Sequence, residues 1–331
     1  MLVNIDHLFS SFSDVKIGVI GDVMLDAYLW GHVERISPEA PVPIVTLDKK
    51  ENRLGGAANV ALNAKALGSK VFILTVLGQD DAAKEMLSLL DQLQISADYI
   101  VKDKNRITTT KTRIISRNQQ MLRLDDEITD DLHKELEDLF IQNVESFIVK
   151  EKPQVIIFED YNKGVLTSRV ISAVIEICKW YHVVMTVDPK KKNFFSYQGV
   201  DVFKPNLKEV KEALHTSLDI VDQNHLQDIH SLLKDKLSHN VSFITLSEKG
   251  VFYQDMQHSA MIPTHVRSIA DVSGAGDTVI ATASLVYALT KDAALMAGIA
   301  NIAGGLVCEE VGTVSINKDR LLQECKMLIN N

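Results

Sequence analysis

The sequence predicts an α/β fold: a doubly wound, mostly parallel sheet with helices on both faces, plus a small β-sheet lid. Three observations predict it. Short apolar runs closed by glycine or aspartate alternate with helix-periodic segments. Two stretches rich in β-formers yet polar on one face interrupt that alternation. The composition, 46% hydrophobic and 24% charged over 331 residues, can bury a large core, here expected as one domain over 1–331. Strands separated by helices pair in parallel, because a parallel neighbour needs a crossover long enough to hold a helix.

Taken in order, Lys16–Gly21 (KIGVIG) is the first strand, stopped by Gly21 and Asp22. Gly55 and Gly56 open a small-residue helix over Asn59–Leu67 that packs closely on its neighbours. Strands follow at Lys70–Gly78, Gln154–Glu159, His182–Asp188 and Val241–Ser247, with helices at Ala82–Leu93, Asp130–Phe147, Ser168–Trp180 and Leu226–Leu237. Thr278–Leu289 is helical, and Ala293–Cys308 is a buried helix: Asn301 interrupts it, and it is shorter than the roughly 20 apolar residues of a membrane span. The interrupting stretches, Tyr28–Leu47 and Thr108–Asp125, form the lid, the first punctuated by prolines at 38, 41 and 43. In the second, Lys111, Arg113 and Arg117 fall on one face of a continuous strand, either to grip an anion or to protect a charged edge.

Lys plus Arg number 35 against 44 Asp plus Glu, a net charge of −9, so the chain offers no general attraction to nucleic acid or anionic membrane. An anionic ligand must be met by local cations. Cys178, Cys308 and Cys325 lie far apart in apolar helical sequence, as expected of buried free thiols in a reducing compartment. The N-terminus lacks the basic and apolar blocks of a secretory signal, and a cytoplasmic location is expected.

Asp271-Val-Ser-Gly-Ala-Gly-Asp277 carries the most chemistry. Gly274, Ala275 and Gly276 present amides at the positive end of a helix, a site for an anion. Asp277 repels a phosphate but suits a general base beside one; the same loop also reads as a glycine turn with an Asp cap. Asn59 can exchange hydrogen bonds with hydroxyls or serve helix packing. Asp22 and Asp26 either bind sugar hydroxyls or cap their loop. Asn206 and Glu209 form either a capping box or a Mg²⁺–phosphate site acting through water. Ser247 and Gly250 touch phosphate or form a hairpin turn, and Asn301 is either a ligand or a satisfied core amide. The G-x-x-x-x-G-K-[ST] phosphate loop and a G-x-G-x-x-G after a strand are both missing.

Together and in order, the Gly55–Asn59 segment, the Asn206/Glu209 pair, the Thr245–Gly250 turn and Gly-Ala-Gly-Asp277 resemble the ribokinase (phosphofructokinase-B type) family of sugar kinases over essentially the whole chain. The resemblance implies ATP over the C-terminal half and a sugar under the lid. It makes Asp277 the base, Gly274 to Gly276 the anion hole, Asn206 and Glu209 the Mg²⁺ network, and Ser247, Gly250 and Asn301 the nucleotide lining. Gly21-Asp-Val-Met-Leu-Asp26, Arg35 to Pro43, Ser116 to Gln120, Leu122 to Asp125, Asp160-Tyr-Asn-Lys-Gly164 and Val187-Asp-Pro-Lys190 further resemble the kinase part of ADP-heptose synthases. That implies phosphorylation of D-glycero-β-D-manno-heptose 7-phosphate on its anomeric hydroxyl, for lipopolysaccharide core; another family kinase or a non-catalytic sensor is the alternative. The sugar's own phosphate then calls on Arg35, Arg113, Arg117, Arg123, Lys163 and Lys190, while Asp22, Asp26, Gly55, Gly56 and Asn59 face its hydroxyls. No H-x-G-H nucleotidyltransferase motif occurs, so the kinase step alone is expected, with a homodimer formed through the lid.

Overall fold

A computed structural model describes residues 4–117, 119–216, 221–265 and 267–329. Asn118, inside one of the motif strings, lies outside them. Helix α1 (Ile5–Ser11) leads into β1 (Lys16–Gly21), and the chain rises directly into a lid hairpin, β2 (Val23–Ile36) and β3 (Pro43–Gly56). Then come α2 (Ala57–Ala66), β4 (Lys70–Leu77), α3 (Asp81–Gln92), β5 (Ser96–Lys102) and a second lid hairpin, β6 (Thr110–Ser116) and β7 (Gln119–Asp126). The middle of the chain forms α4 (Lys134–Glu151), β8 (Val155–Glu159), α5 (Ser168–Trp180), β9 (Val184–Asp188), β10 (Val202–Phe203), α6 (Leu207–Leu214) and α7 (Gln223–Leu237). The last elements are β11 (Val241–Thr245), β12 (Val251–Gln254), β13 (Ser259–Ile262), α8 (Ala275–Thr290), α9 (Ala293–Val307) and α10 (Lys318–Leu328).

The large sheet has nine strands in the order β5-β4-β1-β8-β9-β10-β11-β12-β13, parallel from β5 through β11 and antiparallel at β12 and β13. Both faces of its centre are covered, which is why its strands read as unbroken apolar runs. Val155 and Ile157 of β8 join one core with side chains of α1, α2, α3, α8, α9 and α10. Ile156 and Phe158 join a second core with α4, α5 and α7. The chain leaves β1 towards β4 and β5, then returns to β8 on the other side of β1. Loops that leave neighbouring strands in opposite directions open a crevice at their carboxyl ends, and a ligand is expected there.

The lid is a separate four-stranded sheet, β3-β2-β6-β7. It is longer than 28–47 and 108–125, because β2 starts one residue after Asp22 and β3 runs to Gly56. Gly55 and Gly56 therefore end a lid strand, and Gly56 is also the N-cap from which α2 opens, as the sequence predicts. Gly56, at φ +58°, turns the chain so that the Ala57 amide donates to the Asp22 carbonyl at 3.0 Å. The continuous cationic face is also corrected. β6 stops at Ser116 after a register shift between Ile114 and Ile115, and Arg117 occupies an exposed turn at φ +47°. All three cysteines are free, but Cys308 is only partly buried. The sequence periodicity passed over β5, β10, β12 and β13; β10 has two residues, too few to show a period. No helix among the described residues is long and apolar enough to cross a membrane.

Candidate active site

Gly274 precedes α8 at φ +78°, the left-handed conformation that favours glycine, and no side chain caps the helix. The Ala275 amide donates to the Val272 carbonyl at 3.3 Å, and the turn as a whole lies at the positive end of the helix dipole. A Cβ built on Gly276 would come no nearer to another group than 3.8 Å, from Asp188 Oδ2, so an anion can approach that backbone.

Asp277, in the same turn, is buried, with 6% of its surface exposed. Asn59 Nδ2 donates to its Oδ2 at 2.6 Å, and the Tyr161 hydroxyl donates to its Oδ1 at 2.9 Å. Burial pushes the carboxyl up to about 6, and Asp188 adds to the rise against the opposing hydrogen bonds from Asn59 and Tyr161. A carboxylate so tuned is ionised at neutral pH and still able to accept a proton. Asn63, one turn beyond Asn59, ties α2 to α8: its Oδ1 accepts from the Thr278 hydroxyl at 2.9 Å and its Nδ2 donates to the Asn59 carbonyl at 2.9 Å.

Asp22 is not open to a sugar. Its Oδ2 accepts from the amides of Tyr161 and Lys163, both at 3.0 Å, and its Oδ1 from Val165 at 3.1 Å. The end of β1 thus folds the loop that follows β8. Asp26 sits at the root of β2, where Arg113 Nη1 donates to its Oδ1 at 2.6 Å.

Most of the expected cations already hold carboxylates. Lys163 pairs with Glu127 at 2.7 Å, Arg123 with Asp125 at 2.7 Å, and Lys111 with both of those carboxylates. Lys190 lies 2.7 Å from Glu209 and 3.5 Å from Asp188; burial opposes its charge, but Asp188, Glu209 and Glu159 outweigh burial and raise its pKa. Arg35 is not brought to the crevice: it lies nine residues past Asp26 on β2, about 30 Å at the usual rise of a strand. The turn residue Arg117 is likewise out on the lid. Arg106, which the sequence reading missed, buries its guanidinium on the carbonyls of Asp130 (3.1 Å) and Lys163 (2.5 Å) near Asp22.

Asn206 and Glu209 form a complete capping box at the start of α6. Glu209 uses one oxygen on the Asn206 amide at 2.8 Å and the other on Lys190, so a metal would meet this pair through water rather than directly. Asn206 bridges Thr245 at the end of β11, which brings Ser247 and Gly250 to the same rim; the turn does form a hairpin with β12. Asn301 is a satisfied core amide, its Nδ2 donating to the Pro263 carbonyl at 2.9 Å.

Two carboxyls to which the sequence assigns no role complete the site, although Asp188 lies in the string Val187-Asp-Pro-Lys190. Glu159 ends β8 beside Asp188 of β9, on the face that packs against α8. Glu159 is fully buried with neither oxygen partnered, and Asp188 Oδ1 also lacks a hydrogen bond, although Lys204 pairs with Oδ2 at 2.8 Å. Burial, reinforced by Asp188, raises the Glu159 pKa well above the ordinary carboxylate value. As pH rises past 4.5 the unfolded chain ionises while the native Glu159 keeps its proton, so stability falls. Glu159→Gln should therefore gain on the native protein between pH 5 and pH 8 in chemical denaturation, by up to about 1.4 kcal/mol for each pH unit over which the native carboxyl stays protonated. An identical difference at both pH values would show that Glu159 is ionised in the native state.

The profile of the pfkB family carbohydrate kinases matches residues 15–320. The bifunctional protein HldE of Aliarcobacter butzleri (strain RM4018) is 41% identical over 307 residues, covering 92% of this chain and 63% of that protein. HldE of Methylobacillus flagellatus is 41% identical over 325 residues, covering 98% of this chain and 65% of the relative. The chain thus spans a little under two-thirds of the length of these relatives. Among solved structures, phosphofructokinase-2 from Escherichia coli in complex with potassium aligns with a TM-score of 0.78 at 15% identity, over 96% of this chain and all of the other. Arabidopsis thaliana ribokinase complexed with ribose and ATP aligns at 0.71 and 14% identity, over 93% and 99% of the two chains. At such identities the likeness is one of fold.

Proposed function

The chain belongs to the pfkB family of carbohydrate kinases, phosphotransferases with an alcohol acceptor, and from that premise we propose that it phosphorylates the anomeric hydroxyl of D-glycero-β-D-manno-heptose 7-phosphate at the expense of ATP. The product, the 1,7-bisphosphate, then leads towards ADP-heptose and the lipopolysaccharide core. One observation carries the chemistry: a buried carboxylate, Asp277, held by two donors in the same helical turn as glycine-backed amides. The substrate rests on the HldE relatives and on the motif strings from Gly21 to Lys190.

In this reading the heptose lies beneath the lid against Asp26, Gly55, Gly56 and Asn59, and the lid excludes water that would compete as acceptor. The anomeric O–H bond breaks, its proton passes to Asp277, and the oxygen bonds to the γ-phosphorus as ADP leaves. The amides of Gly274, Ala275 and Gly276 stabilise the charge on the transferring group. Ser247 and Gly250 border the nucleotide, Asn301 stays with the core, and Asn206 and Glu209 would hold Mg²⁺ through water. The chemistry such an ion would supply is neutralisation of the negative charge on the nucleotide. Arg113, Arg123, Lys163 and Lys190 meet the 7-phosphate by exchanging carboxylate partners for phosphate oxygens, whereas Arg35 and Arg117 reach a sugar only as lid residues of a second copy. A homodimer through the lid fits the exposure of Met121, Leu122 and Leu124 on β7, its edge strand.

An ADP-release assay across heptose 7-phosphate, unphosphorylated heptose, fructose 6-phosphate and a nucleoside tests the assignment. Heptose 7-phosphate should be favoured by at least about 100-fold in kcat/KM, the scale of two charge-assisted contacts. A preference for an unphosphorylated sugar would overturn it.

A further inference from the structure

Tyr161 lies in the loop that Asp22 folds, and the sequence reading gave it no role. Its amide is pinned to Asp22 Oδ2, its ring lies 5.3 Å from Lys190 Nζ, and its hydroxyl reaches Asp277. The far edge of the ring packs towards Gly56, where a built Cβ would stand 3.5 Å from Cδ2. Backbone, ring and hydroxyl are thus fixed by three different elements.

We propose that Tyr161 is a positioning residue for the carboxylate of Asp277: its phenol fixes which lone pairs of Oδ1 face the acceptor and keeps that carboxylate ionised. The inference rests on the reading of Asp277 as the base. A carboxylate has about four acceptor positions over its two oxygens, and Asn59 and Tyr161 take one on each. With both oxygens held, the side chain has one orientation, and the remaining Oδ1 position is left for an incoming hydroxyl. The neighbours make the second donor necessary. Asp188 from β9 favours the protonated form of Asp277 and Lys190 beyond β9 opposes it, while Glu159 from β8 keeps its own proton and adds no charge. Lys204 beyond β10 is already paired with Asp188. Asn59 from α2 and the Tyr161 phenol supply the hydrogen bonds that favour the ionised form.

Tyr161→Phe keeps the ring and removes the donor. The carboxyl carbon of Asp277, labelled with ¹³C-aspartate and assigned by its loss in Asp277→Asn, should titrate about one pH unit higher in Tyr161→Phe. The acidic limb of kcat should move with it, so that turnover at pH 6.5 falls several-fold more than at pH 8.5, with KM for the acceptor little changed. An unmoved midpoint with a uniformly lower kcat would reduce Tyr161 to packing. An unmoved midpoint with a higher kcat/KM would mean that the phenol merely blocks the acceptor's place. Either result overturns the inference. Failure of the underlying reading shows separately, as near-normal turnover in Asp277→Asn whatever the Tyr161→Phe midpoint does.

Discussion

Asp277→Asn is expected to lower turnover by about a thousandfold while leaving ATP affinity within a few-fold of the native value. An amide of the same shape cannot take the acceptor's proton, and general-base assistance contributes on the order of 10²–10⁴ in rate. The substitution also disturbs the site in a predictable way. Asn59 Nδ2 and the Tyr161 hydroxyl both donate to Asp277, one to each oxygen. An amide offers one acceptor oxygen, so one donor is left facing an NH₂ group, at a cost of about 1–3 kcal/mol in stability. The variant should therefore melt slightly lower as well as turn over slowly. The pH profile gives an independent check. Since the Asp277 carboxyl is pushed up to about 6, native turnover should rise with pH through that value. Residual turnover of the variant should lack that limb. Calorimetry with a non-hydrolysable ATP analogue checks the binding half of the expectation, and a variant turning over at near-native speed would remove Asp277 as the base.

The sheet was legible because its strands are buried on both faces. β1, β4, β8, β9 and β11 are apolar runs ended by a polar residue or glycine, and helices of ordinary period separate them. Short or half-exposed strands of that sheet were not, since β10 has two residues and β13 is only partly buried throughout. In the site, Gly274 and Asp277 announced themselves by spacing, as glycines that open a helix do. What the sequence could not show is which polar groups meet. Asp22 and Asp26 look alike on paper, yet the first is spent on three loop amides and the second on Arg113. Tyr161 and Glu159 lie on either side of Asp160 just beyond or at the end of β8, where no periodicity marks them. They reach Asp277 only because α8 returns, more than 100 residues later, across the ends of β8 and β9. Asn206 and Glu209 carried two readings at once, and the capping box does not exclude an outer role for the same pair.

Gly274→Ala is expected to lower turnover by about ten- to a hundredfold and to destabilise the protein by about 1–2 kcal/mol. The residue adopts φ +78°, so any side chain there is strained. A Cβ at this position would also lie 2.9 Å from Asn59 Nδ2 and 3.0 Å from Thr313 Cγ2. Relief of that contact must push Asn59 off Asp277, so the strain at the helix entrance passes straight to the carboxylate, and an error near 1 Å in a reacting group costs rate steeply. Gly276→Ala is the contrasting case. Its Cβ has ordinary room at 3.8 Å from Asp188 Oδ2, and alanine suits a helix better than glycine by about 0.5–1 kcal/mol. Its melting temperature should hold or rise, yet its methyl group stands on the side from which a phosphate must approach, so the apparent affinity for ATP should fall. Melting curves and ATP titrations on the two variants thus separate the two tasks of the turn, since strain in the cap lowers both stability and turnover, whereas an obstructed anion site lowers affinity alone. If Gly276→Ala bound ATP as tightly as the native chain, the amides at the start of α8 would not be the ones that face the phosphate.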